Sequence, residues 1–143
     1  MSDTISIPEL QNEPPLDFSD REFDAEGRIK DALKEARAKA SGGMLPHFVA
    51  GVPRYQGEAF ERENPSRLDE TIGMTKFASK ETVRDAVERI SESSVAREWA
   101  RMPLRERAKY FGAVAQRIRE LRFFFIALMM LEVGKQAHLA DAE

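Results

Sequence analysis

The chain is 143 residues long, 42% hydrophobic and 33% charged, with a net charge of -3; this suits one soluble globular domain with a real core and singles out no class of partner. It contains no cysteine, which excludes a disulfide framework, a thiolate metal site and thiol catalysis by these residues. The opening residues MSDTISIPEL are acidic and lack an apolar h-region, so no signal peptide is expected, and the longest apolar run, Phe123–Leu131, is too short to span a bilayer; the composition fits a cytoplasmic protein.

Residues 1–18 read as an extended polar arm, because Pro8, Pro14 and Pro15 oppose helix and apolar residues are few. A helix is expected to start near Ser19 or Asp20, either of which can cap it. Ile29, Ala32, Leu33, Ala36 and Ala40 recur at helical spacing, and Gly42-Gly43 stop the helix. From Met44 to Ala78 prolines and glycines interrupt short β-type runs at His47–Ala50, Ala59–Glu63 and Thr71–Phe77, which predicts two or three short strands joined by turns. Ser79 caps the next helix, whose apolar stripe is Val83, Ala86, Val87 and Ile90. Val95 and Trp99 continue it after a polar stretch, Ser91–Ser94, that kinks or breaks the helix. Pro103 suits the first turn of a further helix with a core face of Ala108, Phe111, Val114, Ala115, Ile118 and Leu121. The run Phe123–Leu131 leaves no polar side, so a helix there must be covered on most sides. Gly134 is a helix stop, and 136–143 reads as the first turns of another helix. The fold class is therefore α+β, mostly helical with a short β-hairpin region.

Few residues offer chemistry. No GxGxxG or GxxxxGK turn exists, and the eight glycines read as helix stops and turns. His47 and His138 have no partner motif and read as ordinary strand and surface histidines. Asp141 and Glu143, two apart, do not face one another on a helix and read as a solvated end; Glu132 and Lys135 form an i, i+3 pair at a helix terminus. Residues 97–122 carry eight basic and three acidic residues. Glu98, Glu106 and Glu120 interrupt that charge, so solvated helix faces are favoured over a nucleic-acid surface. No catalytic, cofactor-binding or metal-binding residue is assigned on this chain.

The order of residues resembles the N-terminal region of the aldehyde dehydrogenase family. The resemblance rests on Asn64-Pro65, a strand ending in Ile72-Gly73, Ala78, a helix with Val83 and Ala86-Val87, then Trp99, Pro103, Arg105-Glu106-Arg107 and Glu132-Val133-Gly134-Lys135. Asn12-Glu13-Pro14, Asp17-Phe18 and a long helix before the Asn-Pro motif are similar to one branch, the L-glutamate γ-semialdehyde (Δ1-pyrroline-5-carboxylate) dehydrogenases of proline catabolism. The resemblance implies the opening part of an α/β fold without its Rossmann sheet, divided into an arm (1–18) and an incomplete cofactor-binding domain (19–143). It implies NAD-dependent oxidation of an aldehyde on a cysteine, with the product glutamate. The family's cysteine, general-base glutamate, oxyanion-hole asparagine and cofactor-binding lysine and glycines all belong beyond position 143.

The matched residues Asn64, Pro65, Trp99, Pro103, Glu132, Gly134 and Lys135 then read as structural, with a cation-holding role for Glu132 implied by some relatives. Gln136 stands where the family usually has proline, and Phe124 where it usually has an acidic residue. Two expectations follow. In one, the chain is the N-terminal segment of such a dehydrogenase, inactive and without NAD by itself, partnered by the remainder of the polypeptide. In the other, it is a free-standing helical module that self-associates through an uncovered 123–131 face. Neither nucleic acid nor membrane is an expected partner.

Overall fold

The computed structural model describes residues 13–41 and 43–143; most of the expected arm, with Pro8 and Asn12, and Gly42 of the expected stop lie outside them. The chain is mostly helical with two small antiparallel strand pairs. The elements are α1 (Ala25–Ala40), β1 (His47–Val49), β2 (Val52–Arg54), β3 (Ala59–Asn64), β4 (Arg67–Lys76), α2 (Lys80–Glu92), α3 (Val95–Arg101), α4 (Leu104–Glu120), α5 (Arg122–Val133) and α6 (Ala137–Asp141). No helix among the described residues is long and apolar enough to cross a membrane.

Helix α1 starts later than Ser19 or Asp20. Asp17 Oδ1 accepts bonds from the Ser19 backbone and hydroxyl, and Asp20 Oδ1 accepts from the Glu22 and Phe23 amides. These carboxylates therefore build turns ahead of the helix. The cap is Asp24, in the left-handed region at φ 48°, with Oδ1 accepting from the Gly27 amide at 3.1 Å. Aspartate tolerates that conformation better than most residues. Gly27 leaves room for the cap, since a Cβ there would lie 2.1 Å from Asp24 Oδ2 and would displace that carboxylate. Replacing Asp24 by alanine is expected to destabilise the chain by about 0.5–2 kcal/mol in urea unfolding, with asparagine restoring most of it.

Four strands form, in two hairpins, where two or three were expected. In the first, His47 pairs Arg54 and Val49 pairs Val52. Its two-residue turn, Ala50 (φ 49°) and Gly51 (φ 76°), has both central residues at positive φ, the primed geometry that matches strand twist. Ala-Gly is not the usual signature of that turn and Pro53 argues against a strand, so β2 is hard to read from sequence. Pro53 is tolerated because this two-stranded sheet has only edges. In the second hairpin, β4 begins at Arg67, four residues before the expected Thr71. Asn64 Oδ1 accepts from the Ser66 amide at 2.9 Å, closing the turn around Pro65.

Helix α2 is capped as expected, Ser79 Oγ accepting from the Thr82 amide. Ser93 turns extended and separates α2 from α3, so the polar stretch breaks the helix. Gly134, at φ 68°, ends α5 in the left-handed conformation.

The core lies between α1, α5, β4 and α6. Ala32, Ala36, Ile72, Ala127 and Leu131 form one buried cluster and Ile29, Ile126 and Ala140 a second, with Leu33 and Phe123 packed against both. Alanines along α1 let α5 approach closely, and α5, apolar all round, is the element the rest folds against. Within the 123–131 segment, Ile126, Ala127 and Leu131 are buried by the chain's own residues, while Phe125 is exposed and the other five are half-buried. The α2 stripe is left in water and the expected core face of α4 is corrected, since Val83, Val87 and Ile90 of α2 and Phe111, Val114 and Ile118 of α4 are exposed.

Candidate functional site: uncovered helix faces and a polar junction

Helix α2 exposes Val83, Val87 and Ile90, and α4 exposes Leu104, Phe111, Val114 and Ile118. On each helix these lie three, four or seven residues apart, so each set is one stripe. Ile90 is 66% and Phe111 67% exposed. Burying such a side chain gains roughly 1.5–3 kcal/mol, so apolar stripes left in water mark a surface made to be covered. Between them, Trp99 of α3 meets the Tyr110 ring at 5.7 Å and the Phe111 ring at 6.1 Å, both edge-on. These contacts fix α3 against α4.

The second feature is a polar junction between α1, the β3–β4 hairpin and the end of α5. Asn64, 3% exposed, donates from Nδ2 to Glu70 Oε2 at 2.8 Å. Arg37 Nε of α1 donates to Glu70 Oε1 at 2.5 Å. Arg62 Nη2 donates to the Glu132 carbonyl at 3.0 Å, and a Cβ on Gly134 would stand 3.4 Å from Pro65 Cγ and Ser66 Oγ. The Asn64-Pro65 and Glu132–Lys135 motifs, far apart in sequence, are therefore two sides of one junction that sequence reasoning treated separately.

Glu70 is held ionised below the usual carboxylate range, first by the Arg37 hydrogen bond, then by Asn64 and by the charges of Arg37 and Arg67. A carboxylate with its pKa lowered by folding stabilises above its unfolded value, and that share is lost as pH falls through the folded value. Glu70→Gln should therefore cost stability at neutral pH, on the order of 1 kcal/mol because the Arg37 partner is well solvated. The difference should shrink as pH drops below the ordinary value of 4.5, which urea titrations of both proteins across that range will measure.

The singled-out residues separate. His47 lies in β1 with Nε2 buried and without a hydrogen-bond partner among the described residues, while His138 is exposed on α6. Lys135 pairs with Glu143, correcting the expected pair with Glu132. Asp141 is no solvated end: its side chain is 2% exposed and bonded to Arg122 Nε at 2.6 Å and to the Leu16 amide at 2.8 Å. Gly27, Gly73 and Gly112 sit inside α1, β4 and α4, correcting their reading as stops or turns. Among the described residues no three His, Asp or Glu side chains gather as a metal site.

Residues 52–143 match the aldehyde dehydrogenase family. The chain belongs to that family. It is 28% identical over 127 residues to a 1-pyrroline-5-carboxylate dehydrogenase of Staphylococcus saprophyticus, covering 87% of this chain and 23% of the relative. It is 30% identical over 126 residues to the Staphylococcus haemolyticus enzyme of the same name, covering 88% of this chain and 24% of the relative. The fold matches the Mycobacterium tuberculosis Δ-pyrroline-5-carboxylate dehydrogenase bound with NAD and cobalamin, at TM-score 0.82 and 26% identity, over all of this chain and 26% of that one. The chain thus spans about a quarter of the length of the relatives it matches. Its two hairpins and helices are the aldehyde dehydrogenase fold as far as these residues extend.

Proposed function

We propose that these residues are the N-terminal segment of an NAD-dependent L-glutamate γ-semialdehyde (Δ1-pyrroline-5-carboxylate) dehydrogenase, which oxidises the semialdehyde to glutamate. In this reading they supply the outer helices and hairpins that back the nucleotide-binding sheet, and the remainder of the polypeptide covers α2 and α4. The observation that carries it is the pairing of a well-formed α1–α5 core with apolar α2 and α4 stripes left in water, in a chain that spans a quarter of its relatives.

NAD would accept the hydride in that reaction. In this reading the remainder of the polypeptide builds its cradle, since these residues hold no glycine-rich turn from strand to helix. With no cysteine in the chain, no catalytic step is assigned to it. Its contribution is mechanical: α5 and the Asn64–Glu70 junction set the position of the helices against which the rest packs.

The test is NADH formation from glutamate γ-semialdehyde. Purified 1–143 is expected to give none, and the same residues within the complete polypeptide to give product glutamate. Turnover by 1–143 alone, or a complete polypeptide inert toward this aldehyde, would overturn the proposal. A self-associating module, through the part of 123–131 left exposed or through the α2 and α4 stripes, remains the second reading. Sedimentation separates the two, since only that module forms a defined oligomer of 1–143.

A further inference from the structure

The chain ahead of α1 and the last helix meet at one buried carboxylate. Asp141 Oδ2 accepts from the Leu16 amide at 2.8 Å and Oδ1 from Arg122 Nε at 2.6 Å. Arg122 Nη2 also donates to the Pro14 carbonyl at 2.7 Å. Pro14 and Pro15 carry no amide proton, so the Leu16 amide is the first donor this segment can offer after them. The Leu16 side chain packs on the same cluster, Ile29, Ile126 and Ala140, that holds α6.

Neither partner stands alone. Helix α6 has five residues and no side-chain cap, far too short to persist by itself. Its Leu139 and Ala140 amides bond to the Gln136 carbonyl at 3.0 Å. Residues 13–16 belong to no helix or strand, and their two prolines reduce the freedom lost on docking. The Glu13–Arg119 pair beside them is solvated on both sides and adds little.

We propose that residues 13–16 are a strap that opens and closes together with α6 as one unit, latched by Asp141 through Arg122 and the Leu16 amide. The strap also walls a cleft of about 910 Å³ between α4, α5 and α6, floored by Ile126 and Met129. Opening the latch therefore frees residues 13–16 and uncovers that apolar floor in one event. Charge-assisted hydrogen bonds to a buried carboxylate are strong enough to couple the two segments, and the coupling is reciprocal. The inference does not depend on the proposed enzyme activity.

Native-state hydrogen exchange of the full chain at low urea tests it. The Leu16, Leu139 and Ala140 amides are expected to share one opening with one urea dependence, distinct from that of Val83 in α2. Asp141→Ala should accelerate all three by about tenfold or more, while Glu13→Gln leaves them unchanged. Two separate openings in the unmodified chain, or a variant in which Leu16 accelerates without Leu139 and Ala140, would overturn it. If Asp141→Ala does not fold, the unmodified chain's exchange curves decide alone.

Discussion

Ile126→Ala should lower the unfolding free energy of the chain by about 2–5 kcal/mol, read as a shift in the urea midpoint at unchanged slope. Ile126 is 1% exposed and meets Ile29 and Ala140, with Leu16, Leu33, Phe123, Met129 and Met130 packed around them. Truncation would leave a cavity where α1, α5 and α6 converge, and none of these helices can move in to fill it without leaving another contact. Domains of this kind are stable by about 5–15 kcal/mol, so the loss is a large share of the whole. Ile126→Val, which removes one methylene, should cost only about 0.5–1.5 kcal/mol. The same alanine substitution at exposed Ile118 should be close to neutral in 1–143, which separates the core helix from the uncovered one.

The second large effect is expected from charge on the uncovered stripes. Val87→Glu in 1–143 should change stability by about 0.5 kcal/mol or less, because Val87 is 60% exposed and glutamate is a better helix former than valine. If the remainder of the polypeptide covers α2 as proposed, the same carboxylate would be buried at that contact. Central interface positions cost ~2–4 kcal/mol on truncation, and an unpaired buried charge costs more, so assembly and activity should fall by about 30-fold or more. Val114→Glu on α4 should behave alike. Equal damage to the isolated chain and to the complete enzyme would show that these stripes are covered within 1–143.

Much of the fold is legible in the sequence. The Ser79 cap, the break at Ser91–Ser94, the Gly134 stop and the need to cover Phe123–Leu131 are local in origin: a hydroxyl facing an unpaired amide, a glycine at positive φ, an apolar run with no polar side. The rest depends on distant residues. Hydrophobic periodicity says that Val83, Val87 and Ile90 share a face; it carries no information on whether the cover lies in the same 143 residues. From its own helix alone Asp141 reads as solvated. Its partners come from Leu16 and Arg122, on other parts of the chain. Ser19 and Asp20 precede Asp24 and fit the same capping rule, but both are occupied in turns. The candidate site followed the same pattern. Asn64, Pro65, Glu132 and Gly134 were recognisable one by one through the family resemblance, yet only folding places the Asn64 turn against Gly134.

Under the proposal, the α2 and α4 stripes are interior surface of a larger dehydrogenase. Hydroxyl-radical footprinting compares it directly in 1–143 and in the complete polypeptide, with Tyr110 and Phe111 as reporters, exposed by 58% and 67% in this chain. Strong protection of both rings in the complete protein is the predicted result. Labelling of Tyr110 and Phe111 that stays equal in the two samples would contradict the account.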